Sequence, residues 1–196
     1  MTKAVEFWFD LCSPAAYLAH TQIRTVATRC DAGVHYRPML LGSVFQATGN
    51  RPPSDVPAKR AWLERDLARW ARRYGVPLRP DPLTPVNTLQ LMCGAVAAMH
   101  EGCVVAYADA LFRALWAEGR DVTEVGEWTE VLKEADLDGP KLIGRAQDQP
   151  IEDELAALTD EAVRRGVFGA PSFFVGDELF FGQDRMDFVA EALRAA

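Results

Sequence analysis

Apolar and polar positions alternate at the start of the chain. Val5, Phe7 and Phe9 fall on one side of an extended segment and Trp8 on the other, which predicts a strand over residues 4–10. Ser13 and Pro14 follow. Serine is a favoured N-cap, and proline suits a first helical turn, where its fixed φ is already right and its missing N–H is not needed. From there to about Cys30 the period becomes helical, with Tyr17, Leu18, Ile23, Val26, Ala27 and Cys30 on one apolar face. Asp31, Ala32 and Gly33 end that helix, and residues 34–38 read as a second strand. Strand, helix and strand in this order predict a crossover within a parallel sheet.

The pattern then changes. Residues 54–74, 86–115, 122–135 and 151–165 carry helical periodicity, and strand signals nearly vanish. The connections are proline-rich, with Pro52, Pro53 and Pro57 on one side and Pro77, Pro80, Pro82 and Pro85 further on. An arginine cluster from Arg69 to Arg73 reads as a solvated helix face. After residue 166 the strand pattern returns: residues 171–175, the turn pair Gly176-Asp177 and residues 178–181 have hairpin composition. A last helix over 186–196 turns Met186, Val189 and Leu193 inward. The order is β-α-β, a helical block, then β-β-α. It is an α/β, thioredoxin-like arrangement interrupted in its middle, with residues 1–42 and 166–196 as one domain and residues 43–165 as a helical insertion domain.

Composition narrows the function classes. The chain has 196 residues, enough for one substantial core or a small fold with a large insertion. No apolar run approaches membrane-spanning length. The first residues lead almost directly into a strand, without the apolar segment of a signal peptide, so a soluble, cytoplasmic protein is expected. A net charge of −7 argues against a general nucleic-acid binder but not against a local pocket for a small anion. Cys12, Cys30, Cys93 and Cys103 form no C-x-x-C pair, and His20, His35 and His100 are scattered, so no metal site is expected.

A thioredoxin-like chain carries its chemistry at the start of the helix after the first strand. Redox members place two cysteines there, the first activated by the helix N-terminus. Here Ser13-Pro-Ala-Ala16 fills that register, so dithiol cycling lacks its resolving thiol. Cys12 stands just before the helix and is the lesser candidate for reactivity. Taken alone, Ser13 is a helix cap.

Several short motifs, in order along nearly the whole chain, change that reading. They are Phe9-Asp-Leu-Cys-Ser-Pro14 with Tyr17-Leu18, Arg37-Pro-Met-Leu-Leu-Gly42, Thr48-Gly-Asn-Arg-Pro-Pro53 with Val56-Pro-Ala-Lys59, and Pro85-Val-Asn-Thr88. Gly166-Val-Phe-Gly-Ala-Pro-Ser-Phe-Phe-Val175 and Phe181-Gly-Gln-Asp-Arg185 complete the set. Together they resemble the 2-hydroxychromene-2-carboxylate isomerases and the related kappa-class glutathione transferases. The resemblance implies a DsbA-like fold, a homodimer, and glutathione as cofactor. It also implies a reversible interconversion of 2-hydroxychromene-2-carboxylate and trans-o-hydroxybenzylidenepyruvate in naphthalene-type aromatic catabolism.

It assigns residues too. Ser13 would stabilise the glutathione thiolate as the catalytic group, and such help is needed because a free thiol has a pKa of about 8.5. Pro171 is a candidate cis-proline whose geometry would present the Ala170 backbone to the extended tripeptide. Gln183, Asp184 and Arg185 would receive the γ-glutamyl end, although serine or asparagine is commoner where Gln183 stands. Asn50 and Lys59 match glutathione-binding positions. Lys59 and Asn87 are assigned to a small aromatic carboxylate substrate, with Asn87 equally readable as a helix cap. Met92 and Cys93 stand where family members often carry a basic residue. Other readings of the same site are a kappa-type transferase or peroxidase, a thiol oxidoreductase acting through Cys12, and a non-catalytic thioredoxin-like binding module.

Overall fold

The hydrophobic alternation of the first strand places aromatic rings on both faces of a sheet. In the computed structural model, which describes residues 3–79 and 87–196, β1 (Ala4–Phe9) buries Phe7, Trp8 and Phe9 completely. Phe7 stacks on Phe173 at 5.4 Å and meets the Tyr36 ring edge-on at 5.4 Å. On the opposite face Trp8 lies under the guanidinium of Arg37 at 4.9 Å and edge-on to Phe174 at 6.4 Å. Alternation therefore splits the aromatics between two layers, as a pleated strand requires.

Around β1 a mixed four-stranded sheet forms, in the order β2-β1-β3-β4. The parallel neighbour is β2 (Gly33–Pro38), with Phe7 opposite Tyr36. The antiparallel neighbour is β3 (Ser172–Val175), with Phe7 opposite Phe173, and β4 (Glu178–Phe181) closes the hairpin. Gly176 turns that hairpin at φ 60°, a conformation that favours glycine. Helix α1 (Pro14–Thr28) connects the parallel strands and buries Tyr17, Leu18, Ile23 and Ala27 as its pattern predicts. It also buries His20, whose ring sits between the Tyr36 hydroxyl (3.1 Å) and Asp109 (2.7 Å). The α/β thioredoxin-like arrangement with its helical insertion is thus the observed one.

No strand occurs between β2 and β3 among the described residues. The chain there forms α2 (Leu41–Thr48), α3 (Pro57–Tyr74), α4 (Leu89–His100), α5 (Val104–Phe112), α6 (Val125–Glu134), α7 (Gly139–Arg145) and α8 (Gln149–Arg164). After β4, α9 (Met186–Ala195) buries Met186, Val189 and Leu193. Two differences from the predicted elements have simple causes. The helix expected over 86–115 is two helices, because the chain bends at Gly102 (φ 70°) and the Cys103 amide returns to the Ala98 carbonyl at 2.8 Å. The apolar pattern runs through the bend because both helices face one core. Helices α2 and α7 are too short to show a period. Pro80, Pro82, Pro85 and Val86 lie outside the described residues.

The insertion packs tightly on itself. The Tyr107 hydroxyl donates to the Leu91 carbonyl at 2.7 Å and fills the space a side chain at Gly94 would need; a Cβ there would stand 2.2 Å from that oxygen. Ion pairs of Arg37 with Glu161 (2.7 Å) and of Arg165 with Glu6 (2.6 Å) join α8 and its end to the sheet. In the arginine cluster, Arg69 pairs with Asp66 at 3.4 Å and Arg73 lies over the Trp70 ring at 5.4 Å. No helix among the described residues is long and apolar enough to cross a membrane.

Candidate functional site

One buried carboxylate organises the loop between β1 and α1. Asp10 is 1 % exposed; its Oδ1 accepts from the Cys12 amide (3.0 Å) and the Thr88 hydroxyl (2.7 Å), and its Oδ2 from the Leu41 amide (2.8 Å). The Asp10 carbonyl accepts from the Ser13 amide at 3.1 Å. A single side chain therefore ties the loop to the starts of α2 and α4. Burial raises its carboxyl above the usual range, against the pull of these donors. Asp10 lies inside the Phe9–Pro14 motif, which by itself assigns it no role. Its signal is an acidic residue placed directly after an apolar strand.

Ser13 is buried, at 5 % exposure, and in extended conformation before the helix (φ −95°, ψ 113°). Its Oγ accepts from the Ala16 amide at 3.1 Å, so the capping role is realised. The same hydroxyl donates to the Ala170 carbonyl at 3.1 Å. The carbonyl expected to face a ligand is thus engaged by the expected catalytic hydroxyl.

The Ala170–Pro171 bond is cis. Its neighbours are held from four sides. The Gly182 amide donates to the Pro171 carbonyl (3.0 Å), the Ser172 hydroxyl to the Gly169 carbonyl (2.8 Å) and the Asn50 side-chain amide to the Phe168 carbonyl (2.8 Å). The Phe181 ring lies so close over Gly169 that a Cβ there would sit 2.7 Å from it. Asn50, expected to touch ligand directly, here spends its amide on this loop.

Gln183, Asp184 and Arg185 form one tight turn ahead of α9. Gln183 is buried, and its carbonyl accepts from the Tyr74 hydroxyl at 2.7 Å. Asp184 pairs through Oδ2 with Arg185 at 2.5 Å, and its Oδ1 folds back over Gly182, whose φ of 103° and lack of a Cβ leave room for it. The Ser13 hydroxyl and the Gly182 amide thus link Ser13, the cis-proline segment and this turn into one continuous wall.

Asn87 directly precedes Thr88, the partner of Asp10, and Lys59 lies on α3. Lys59 is exposed in the first turn of α3, and Asn87 is exposed with its Oδ1 accepting from the Leu89 amide at 3.2 Å, a capping bond. Cys12 is poorly suited to nucleophilic work, since burial and the adjacent Asp10 charge hold its thiol well above the ordinary range. No group of three metal-ligating side chains is placed to hold an ion among the described residues. A hydroxyl at a helix N-terminus, facing a cis-proline loop, can hold an anionic sulfur.

Known proteins resemble the chain in sequence and in fold. A model of the DSBA-like thioredoxin domain matches residues 4–194. A 2-hydroxychromene-2-carboxylate isomerase of Sphingobium xenophagum is 32% identical over 195 residues, covering 98% of this chain and 99% of that protein. Glutathione S-transferase kappa 1 of Caenorhabditis elegans is 26% identical over 205 residues, covering 97% of this chain and 90% of its own. Among solved structures, a 2-hydroxychromene-2-carboxylate isomerase superposes with a TM-score of 0.86 at 29% identity, covering 97% of this chain and 94% of that one. The chain belongs to the DSBA-like thioredoxin family and, within it, to the 2-hydroxychromene-2-carboxylate isomerase family.

Proposed function

We propose that the protein is a glutathione-dependent isomerase that interconverts 2-hydroxychromene-2-carboxylate and trans-o-hydroxybenzylidenepyruvate in the cytoplasm. The observation that carries this reading is the buried Ser13 hydroxyl at the N-terminus of α1, bonded to the carbonyl beside a cis-proline, with no thiol at Ser13 or Ala16. The donor set fits glutathione. A hydroxyl and a helix N-terminus suit a thiolate, and the Asp184 carboxylate at the far end of the wall suits the γ-glutamyl ammonium.

Bound glutathione would supply a thiolate that adds reversibly to the conjugated double bond of the substrate, allows rotation there, and leaves unchanged. Ser13 turns its proton from the Ala170 carbonyl to the sulfur, which stabilises the charged form in a water-poor site. The Ala170 carbonyl, released by that turn, accepts an amide of the extended tripeptide. Asp10 keeps the loop in place throughout, and Asn50 and the Phe181 ring hold the cis-proline segment against it. Lys59 and Asn87, both exposed, meet the substrate carboxylate. The working form is a homodimer, which sedimentation at micromolar concentration checks; a monomer there removes that part of the reading.

A spectrophotometric assay of the purified protein with 2-hydroxychromene-2-carboxylate tests the activity. Absorbance should move toward the benzylidenepyruvate only with glutathione present. No movement, or the same movement without glutathione, defeats the isomerase reading. The relatedness to kappa-class transferases favours conjugation as the second reading. A stable thioether product that consumes glutathione stoichiometrically would select it.

A further inference from the structure

The Tyr74 hydroxyl donates to the carbonyl of Gln183 at 2.7 Å, across the boundary between the helical insertion and the last β-β-α segment. Tyr74 is the final residue of α3, whose end is fixed by Gly75 at φ 68°. Its ring packs on the Trp70 ring at 5.3 Å, and the Arg73 guanidinium lies over Trp70 at 5.4 Å. The phenol is thus aimed by its own helix. Its acceptor is the first carbonyl of the turn that presents Asp184, and the amide of Gly182, one residue earlier, is bonded to the Pro171 carbonyl. Together, the two bonds clamp the turn from both sides. Burial, and after it the charge of Asp184, pushes the Tyr74 hydroxyl up to about 12, so it remains a donor through the physiological range.

We infer that Tyr74 is a positioning residue for the γ-glutamyl end of the thiol ligand: its hydroxyl holds the turn that aims the Asp184 carboxylate at the ligand ammonium. This rests on the glutathione reading of the site. The sulfur end is held by different bonds, those of Ser13 with Ala16 and Ala170 and those of Asp10. Loss of the Tyr74 hydroxyl therefore weakens one end of the ligand and spares the other. A hydroxyl that served only to fasten α3 to the body would affect both ends alike.

The test compares the wild type with Tyr74→Phe, which keeps the ring and its packing on Trp70. Calorimetry measures binding of glutathione, and competition measures γ-glutamylcysteine and cysteinylglycine. In Y74F, glutathione and γ-glutamylcysteine should each bind about five- to tenfold more weakly, the effect of one lost hydrogen bond. Cysteinylglycine should bind equally to both proteins. In the isomerisation assay KM for glutathione should rise by the same factor while kcat, and its dependence on pH, stay unchanged. Equal glutathione affinity in the two proteins, or an equal loss for all three ligands, overturns the inference. If the wild type binds no glutathione, the reading of the site falls first and the role of Tyr74 falls with it.

Discussion

Ser13 combines an observed capping bond with the proposed thiolate role in one hydroxyl, and two readouts of one substitution separate them. Ser13→Ala removes the cap from α1, which costs about 1 kcal/mol of stability. It also removes the donor proposed for the thiolate, which should lower kcat by about a hundredfold. The thermal midpoint checks the first effect and the isomerisation assay the second; an inactive protein with an unchanged midpoint would deny the cap, and a less stable protein with full activity would deny the thiolate role. Asp10 is a different case. Asp10→Ala strands the Thr88 hydroxyl and two backbone amides, and at least about 2 kcal/mol should be lost, measured by urea unfolding. Ser13 and Pro14 could be read from the sequence because capping is local. The Asp10 network could not, since its partners Leu41 and Thr88 are distant in sequence and only the fold supplies them.

At the level of elements, glycines mark where two segments press together. At Gly94 a methyl group would collide with the Tyr107 hydroxyl and stand 2.7 Å from the Trp128 ring. Gly94→Ala should destabilise the protein by about 1–3 kcal/mol through overpacking, read as a lower urea midpoint with an unchanged slope. Gly182→Ala should lower stability through its φ of 103° and also act on function, because a Cβ there would lie 2.5 Å from the Asp184 Oδ1 and turn the carboxylate aside. Glutathione binding should weaken more than in Y74F; a G182A protein that binds as tightly as the wild type would exclude Asp184 from the ligand site. The long helices and all four strands follow from period and turn chemistry. The bend at Gly102 and the two short helices do not, because continuous apolar patterning hides a bend and two turns cannot establish a period.

Charge acts on the whole molecule. Asp109 is bridged by His20 at 2.7 Å and by Arg24 at 2.8 Å, which joins α1 to α5. Although burial opposes it, pairing with His20 and then Arg24 holds the Asp109 carboxyl below its ordinary value. A carboxyl depressed in the folded state adds stability that is complete above its unfolded pKa of about 3.9 and is lost as pH falls through the folded value. Asp109→Asn should therefore melt below the wild type at pH 7, by less than about 1 kcal/mol because the site is 41% exposed. The gap should close in acid. A gap that persists with the carboxyl protonated would mean packing rather than charge. The division into a sheet and a helical block was legible from the switch in periodicity, whereas the electrostatic ties between them were not, because their partners lie far apart along the chain.

The bond from Ser13 to Ala170 spans 157 positions. During synthesis one side of the candidate site therefore leaves the ribosome well over a hundred residues before the side that completes it. On the proposed glutathione reading, a ribosome-bound chain should not bind glutathione until the β3–β4 hairpin has left the exit tunnel. Two fragments cut within the intervening helices would each be blind to the ligand and regain binding only on reassociation. On that reading such a pair would act as a split reporter, with ligand binding as the signal that the two sides have met.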